Sequence, residues 1–172
     1  QDNSFITSVP QASAEDMLFA IEQAKEGFQM IASMPVHQRI SILNKAAHYI
    51  YENKEKYAKT IALEGSKTIR EARAEVNRCI QTLQISAEEA RRIHGETIPF
   101  DQREGSEDRL GYYYRFPIGI IAAITPFNDP LNLVAHKVGP AIASGNAMIV
   151  KPATVTPLSA LLLAEAFEAA GL

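Results

Sequence analysis

Apolar residues recur at helical spacing through the first half of the chain. Met17, Ile21, Ala24, Phe28 and Ile31 fall on one face of a helix, behind Ser13 and Asp16, whose spacing resembles a capping box. Pro35 suits the first turn of a second helix, with Ile40, Leu43, Ala47 and Ile50 as its apolar face. A shorter helix from about Asn53 carries Tyr57 and Ile61 and ends near Gly65. A long one from about Thr68 carries Ala72, Val76, Ile80, Leu83, Ala87 and Ala90.

From Gly95 the pattern changes. "DRLGYYYRFPIGIIAAI" is rich in aromatic and β-branched residues and predicts strands, with Tyr112 and Tyr114 on one face and Tyr113 and Arg115 on the other. Pro117 marks an edge or a break. A buried strand over about 118–124, a helix over 130–144 stopped by Gly145, a second buried strand over 147–151 and a last helix over 157–170 stopped by Gly171 follow. Strand, helix, strand, helix with short connections is the grammar of an α/β fold with a parallel sheet. Such sheets bind ligands outside the carboxyl ends of their strands, which points to "TPFND" (125–129) and "KPAT" (151–154). No Gly-x-Gly-x-x-Gly stands at either turn, so the ordinary dinucleotide fingerprint is missing.

The bulk numbers narrow the class. The 172 residues suffice for a real core, and 47% hydrophobic with 22% charged content is ordinary for a globular chain. A net charge of −3 without a basic stripe argues against nucleic acid. Uncharged runs are short and broken by glycine and proline, which argues against a membrane span, and no signal-peptide pattern follows Gln1. The single cysteine, Cys79, excludes an internal disulfide and fits a reducing, cytoplasmic setting. The four scattered histidines do not suggest a metal site. The missing initial methionine and the ending "EAAGL" suggest a segment of a longer protein.

Residues 117–172 resemble the aldehyde dehydrogenase superfamily: the Pro126–Phe127–Asn128 motif, "PAIASGN", and Lys151–Pro152 followed by Thr156–Pro157 occur in order. "LEGSKTIREARAEV" (63–76) is similar to the family's Glu-x-Gly-Lys-x-x-x-Glu-Ala region, with Ser66 where the glycine is usual. The resemblance implies a helical N-terminal half leading into a Rossmann-like doubly wound parallel sheet, so that 1–172 is a partial NAD(P)-binding domain of a longer protein. It also implies that 95–116 is a β arm like the family's oligomerisation segment, and hence a homodimer or homotetramer. Three neighbouring tyrosines on an exposed edge agree with that.

The activity so implied is oxidation of a small-molecule aldehyde to a carboxylic acid with NAD or NADP. The reaction passes through a thiohemiacetal on a cysteine that, like the general-base glutamate, lies outside this chain. Asn128 matches the family's side-chain donor to the oxyanion; by spacing alone it is equally a turn or helix-cap residue. Lys137 matches a lysine beneath the active site, with a structural bridge as the alternative. Ile124, Thr125, Pro126 and Phe127 match the segment along the nicotinamide half of the cofactor, and Lys151, with Ala153 and Thr154, the part at the adenosine ribose. Thr154 replaces a glutamate common in NAD-specific members, which leaves NADP open. Asp129, Leu133 and His136 fall where members line the aldehyde entrance. Asp129 stands for a bulky group there, and with His136 it suggests a polar or hydroxylated aldehyde, unless it caps the helix at Pro130. Cys79, mid-helix beside an apolar stripe, reads as a packing residue and not a nucleophile. Two other functions stay open: a CoA-acylating or semialdehyde dehydrogenase of the same fold, and a non-catalytic module that retains it.

Overall fold

Helix α1 (Ala14–Ser33) starts where the spacing predicts. The Asp16 amide donates to Ser13 Oγ at 3.2 Å, and the Ser13 amide donates to the Asp16 carboxylate at 2.7 Å. The computed structural model describes residues 5–172. Helices α2 (Val36–Glu52), α3 (Lys54–Gly65) and α4 (Ile69–Glu89) follow, and Thr68 with Glu71 forms a second capping box at the start of α4. Between α3 and α4, Ser66 adopts a left-handed backbone with φ of 56°. Glycine holds that conformation without steric cost; here a Cβ is carried into it.

The predicted helical faces form the core. Ile40, Leu43, Ala47 and Ile50 of α2 meet Tyr57 and Ile61 of α3, and Val76, Ile80 and Leu83 of α4. Full burial of such side chains stabilises by about 1.5–3 kcal/mol each. Tyr57 also donates its hydroxyl to the Leu162 carbonyl at 2.7 Å, so its polar end is satisfied in the interior. The stripe on α1 is less buried than its period suggests. Only Ile31 is buried, because α1 packs on a sheet of two strands, while Met17 remains 43% exposed.

Strands β1 (Glu96–Pro99) and β2 (Leu110–Tyr113) pair antiparallel, with Thr97 opposite Tyr112. The Tyr112 and Tyr114 rings meet edge-on at 5.6 Å, and the Arg115 guanidinium lies 5.5 Å from the centre of the Tyr113 ring, so the predicted two faces are found. Gly95 enters this hairpin against the Tyr113 carbonyl oxygen, which would lie 1.5 Å from any added Cβ.

Strand β3 (Ile120–Ile124) pairs parallel with β4 (Ala147–Lys151). Helix α5 (Asn132–Ala143) connects them, and α6 (Leu158–Ala169) packs on α2 and α3. Two expectations need correction. The strands are not buried: in β3 only Ala123 is, and β4 is half-buried with Lys151 exposed, since among the described residues no third strand joins them. Helix α5 starts at Asn132 instead of Pro130, because 126–131 form an irregular turn that carries the polar residues. Among the described residues no helix is long and apolar enough to cross a bilayer.

Candidate active site

The two predicted turns lie side by side. In the parallel register Ile124 stands opposite Lys151, and the Thr125 amide extends the ladder by donating to the Lys151 carbonyl at 3.2 Å. Both carboxyl ends therefore open on the same edge. Thr125 is buried, and its hydroxyl has no hydrogen-bond partner among the described residues. An unsatisfied buried hydroxyl costs about 1–3 kcal/mol, which a ligand at the strand tips would recover. Lys151 is exposed and donates to Thr154 Oγ1 at 3.2 Å, and Ala153 accepts from the Thr156 amide at 3.2 Å. Ile124 and Phe127 are 73% and 63% exposed, and Pro126 is exposed with them. An apolar ledge, one orphaned hydroxyl and one cation at adjacent strand tips suit a dinucleotide with an apolar ring and a charged backbone.

Asn128 follows on the same turn. It is exposed, and no hydrogen bond holds its carboxamide among the described residues. It does not cap α5. Asp129 does not cap it either: its carboxylate forms an ion pair with Lys67 Nζ and another with Arg78 Nη2, the latter at 3.1 Å. Lys67 also donates to Glu75 Oε2 at 2.6 Å. Glu75 is fully buried, and its other oxygen accepts the amides of Leu131 at 2.9 Å and Asn132 at 3.2 Å. Burial disfavours the Lys67 ammonium, yet the bonds to Asp129 and Glu75 outweigh that and hold its pKa above the ordinary lysine value. Burial opposes the Asp129 carboxylate too, and Lys67 with Arg78 overcomes it, so Asp129 titrates below the usual range.

The second turn is built alike. Glu64 of α3 accepts the Leu158 amide at 2.7 Å and the Ser159 amide at 2.8 Å, and takes a short bond from the Ser159 hydroxyl. Thus α5 and α6, neither of which has a side-chain cap from its own N-cap residue, are both capped from the α3–α4 region.

The remaining candidates are more scattered. His136 lines a shallow groove of about 310 Å3 between α4 and α5, with Ile85, Glu89 and Ile93, and shares no hydrogen bond or ion pair with Asp129 among the described residues. Leu133 is half-buried. Lys137 is exposed and has neither hydrogen bond nor ion pair among the described residues, so the structural bridge is not formed. Cys79 is fully buried on α4, and burial pushes its thiol well above the ordinary range.

Sequence reasoning missed Glu75, Arg78 and the capping role of Glu64. A signal existed for Glu75: it lies three residues after Ala72 and four before Cys79, a lone carboxylate inside a buried arc.

Comparison with known proteins shows the family and the fold. The chain belongs to the aldehyde dehydrogenase family, matching it over residues 1–172. It is 48% identical over 171 residues to aspartate-semialdehyde dehydrogenase 1 of Pseudomonas canavaninivorans, covering 99% of this chain and 36% of that protein. It is 48% identical over 161 residues to the 3-sulfolactaldehyde dehydrogenase of Priestia aryabhattai, covering 94% and 33%. The glyceraldehyde-3-phosphate dehydrogenase of Methanocaldococcus jannaschii, solved with NADP, superposes with a TM-score of 0.90 at 40% identity, covering 97% of this chain and 35% of that one. The chain therefore spans about a third of the length of the relatives it matches.

Proposed function

We propose that this chain is the N-terminal, cofactor-binding part of an enzyme that oxidises an aldehyde to a carboxylic acid with NAD(P)+. The observation that carries this reading is the pairing of an exposed, unengaged Asn128 carboxamide with adjoining strand tips that hold an orphaned Thr125 hydroxyl and Lys151. Bound along those tips, the cofactor supplies the hydride acceptor. Ile124, Pro126 and Phe127 would give it an apolar bed, and Lys151, beside Ala153 and Thr154, a cation for its ribose end. Thr154 carries no charge to repel a 2′-phosphate, so either cofactor is accommodated. Asn128 would donate to the oxyanion formed when a thiolate adds to the aldehyde. A neutral amide does this without disturbing a neighbouring thiolate. Lys137, with no ionic partner, is available to a proton path. The thiolate and the general base are supplied from outside residues 1–172, and the chain alone is inactive, since Cys79 is sealed in the core.

The substrate class we infer is a short aldehyde with a polar or acidic group. Three of the relatives are named for substrates with a carboxylate, a sulfonate or a phosphate, and others for lactaldehyde, whose polar group is a hydroxyl. Arg78 uses one hydrogen bond on Asp129 and keeps further donors on a half-exposed side chain. Asp129, Leu133 and His136 would line the approach. We further propose that the β1–β2 arm pairs with a second copy, since Leu110, Tyr112, Tyr114 and Phe116 are exposed. A cytoplasmic site fits the reduced Cys79.

Asn128→Ala in the complete enzyme tests the reading. The expected result is a loss of about 10²–10³ in kcat with little change in cofactor affinity. A loss below threefold refutes the donor role of Asn128, whereas a complete wild-type protein that does not turn over aldehydes favours the non-catalytic module. Product analysis with and without CoA separates hydrolytic from acyl-transferring relatives. Arg78→Met should raise KM for an acidic aldehyde and leave propanal unaffected; an equal effect on both refutes the acidic substrate class.

A further inference from the structure

The motif between α3 and α4 has no part in the chemistry above, yet it reaches both turns of the site. Glu75 is fully buried 56 residues before the amide of Leu131, which it accepts together with that of Asn132. Lys67, from the α3–α4 connection, joins Glu75 to Asp129. The three residues so fastened, 129, 131 and 132, follow Asn128 directly. On its other side the Phe127 carbonyl accepts from the buried Thr156 hydroxyl at 3.5 Å. The Asn128 side chain is itself held by nothing in the described structure, so its backbone anchors set where its carboxamide points.

We propose that Glu75 and Lys67 are positioning residues for Asn128, fixing the oxyanion donor through the first turn of α5. This rests on the reading of Asn128 as that donor. Donor geometry matters steeply: a displacement of about 1 Å of a reacting or stabilising group can cost on the order of 10²-fold in rate. A carboxylate suits the task better than an alcohol. One oxygen takes two backbone amides while the other takes the ammonium, so one side chain joins helix, turn and connection.

A double-mutant cycle in the complete enzyme tests this. In Glu75→Gln the amide oxygen can still accept the two backbone amides, but its NH2 group faces the Lys67 ammonium and breaks the tie to Asp129. Glu75→Gln should lower kcat about tenfold or more at unchanged cofactor affinity, and in an Asn128→Ala background it should add almost nothing. A residue that merely stabilises the fold gives an additive loss in both backgrounds, and that result overturns the proposal. If Glu75→Gln fails to fold, the same cycle is run with Asp129→Asn, which removes the carboxylate that Lys67 grips at a half-buried position. An unchanged kcat for this variant, or full additivity with Asn128→Ala, likewise overturns the proposal. The two readings fail separately. Loss of the Asn128→Ala effect refutes the donor assignment, whereas a large Asn128→Ala effect with additive partners refutes only the positioning role.

Discussion

Removing the Lys67 ammonium should destabilise the protein far more than removing a surface cation in an equally good ion pair. In the folded chain Lys67 is one-fifth exposed and lies 2.6 Å from Glu75, whose side chain is completely buried. Lys67→Met strands that carboxylate in the interior and leaves Asp129 with Arg78 as its one ion-pair partner among the described residues. Breaking a buried pair from one side costs about 3–5 kcal/mol. Glu75 keeps two backbone amides, which lowers the expected loss to about 2–3 kcal/mol. The internal comparison is Arg73→Met. Arg73 grips Glu55 through two nitrogens, one of them at 2.9 Å, but both side chains are about half exposed, so water replaces the pair almost without penalty. Urea unfolding followed by far-ultraviolet circular dichroism, at one protein concentration and neutral pH, reads both variants. At a slope of about 2 kcal/mol per molar urea, Lys67→Met should lower the midpoint by about 1 M, while Arg73→Met leaves it nearly in place. Equal midpoints for the two variants would mean that Glu75 does not depend on Lys67, and the cluster would lose its significance.

Three further outcomes follow from the same structure. Ser66→Gly relieves a left-handed backbone and should raise stability by about 0.5–1 kcal/mol, read as a higher urea midpoint. Asp129 titrates below its ordinary value when folded, so its contribution is present above about pH 4 and is lost as pH falls further. The stability gap between wild type and Asp129→Asn should accordingly be constant from pH 7 to 5 and close towards pH 3; a gap that widens on acidification would contradict it. Gly95→Ala drives a methyl group into the Tyr113 carbonyl and should abolish hydrogen-exchange protection in the β1–β2 hairpin while the helical core keeps its own.

Much of the architecture was legible because it is local. Capping at Ser13, the stop at Gly65 and the buried faces of α2, α3 and α4 all depend on residues within one or two turns of each other. Period and punctuation report such features directly. Strands β3 and β4 were located to within two residues, but their burial was not foreseen correctly. A run such as "IIAAI" says that its faces can be covered, not whether residues of the same chain cover them. Strand order placed the turns that carry Thr125, Asn128 and Lys151 at neighbouring strand ends, as the parallel register has them. Glu75 and Arg78 were missed, because each acts across 51 residues or more and nothing in its neighbours records the partner.

The contrast between near and distant caps explains why the site is built this way. Helices α1 and α4 are started by Ser13 with Asp16 and by Thr68 with Glu71, bonds available as soon as the local chain turns. Helices α5 and α6, which follow the two site turns, lack such caps and receive their carboxylates from Glu75 and Glu64, 56 and 94 residues earlier. A near cap would form in an isolated helix and fix nothing beyond it. A distant cap forms only when the helical layer has docked, and it then carries the rigidity of that layer to the first turn of the helix. The positions of Asn128 and of the Lys151–Thr154 loop are thereby referred to one framework, the junction of α3 and α4, even though the two turns stand on different strands. For the proposed reaction, which needs an oxyanion donor and a cofactor in fixed relation, a shared reference is worth more than two independently stable helices.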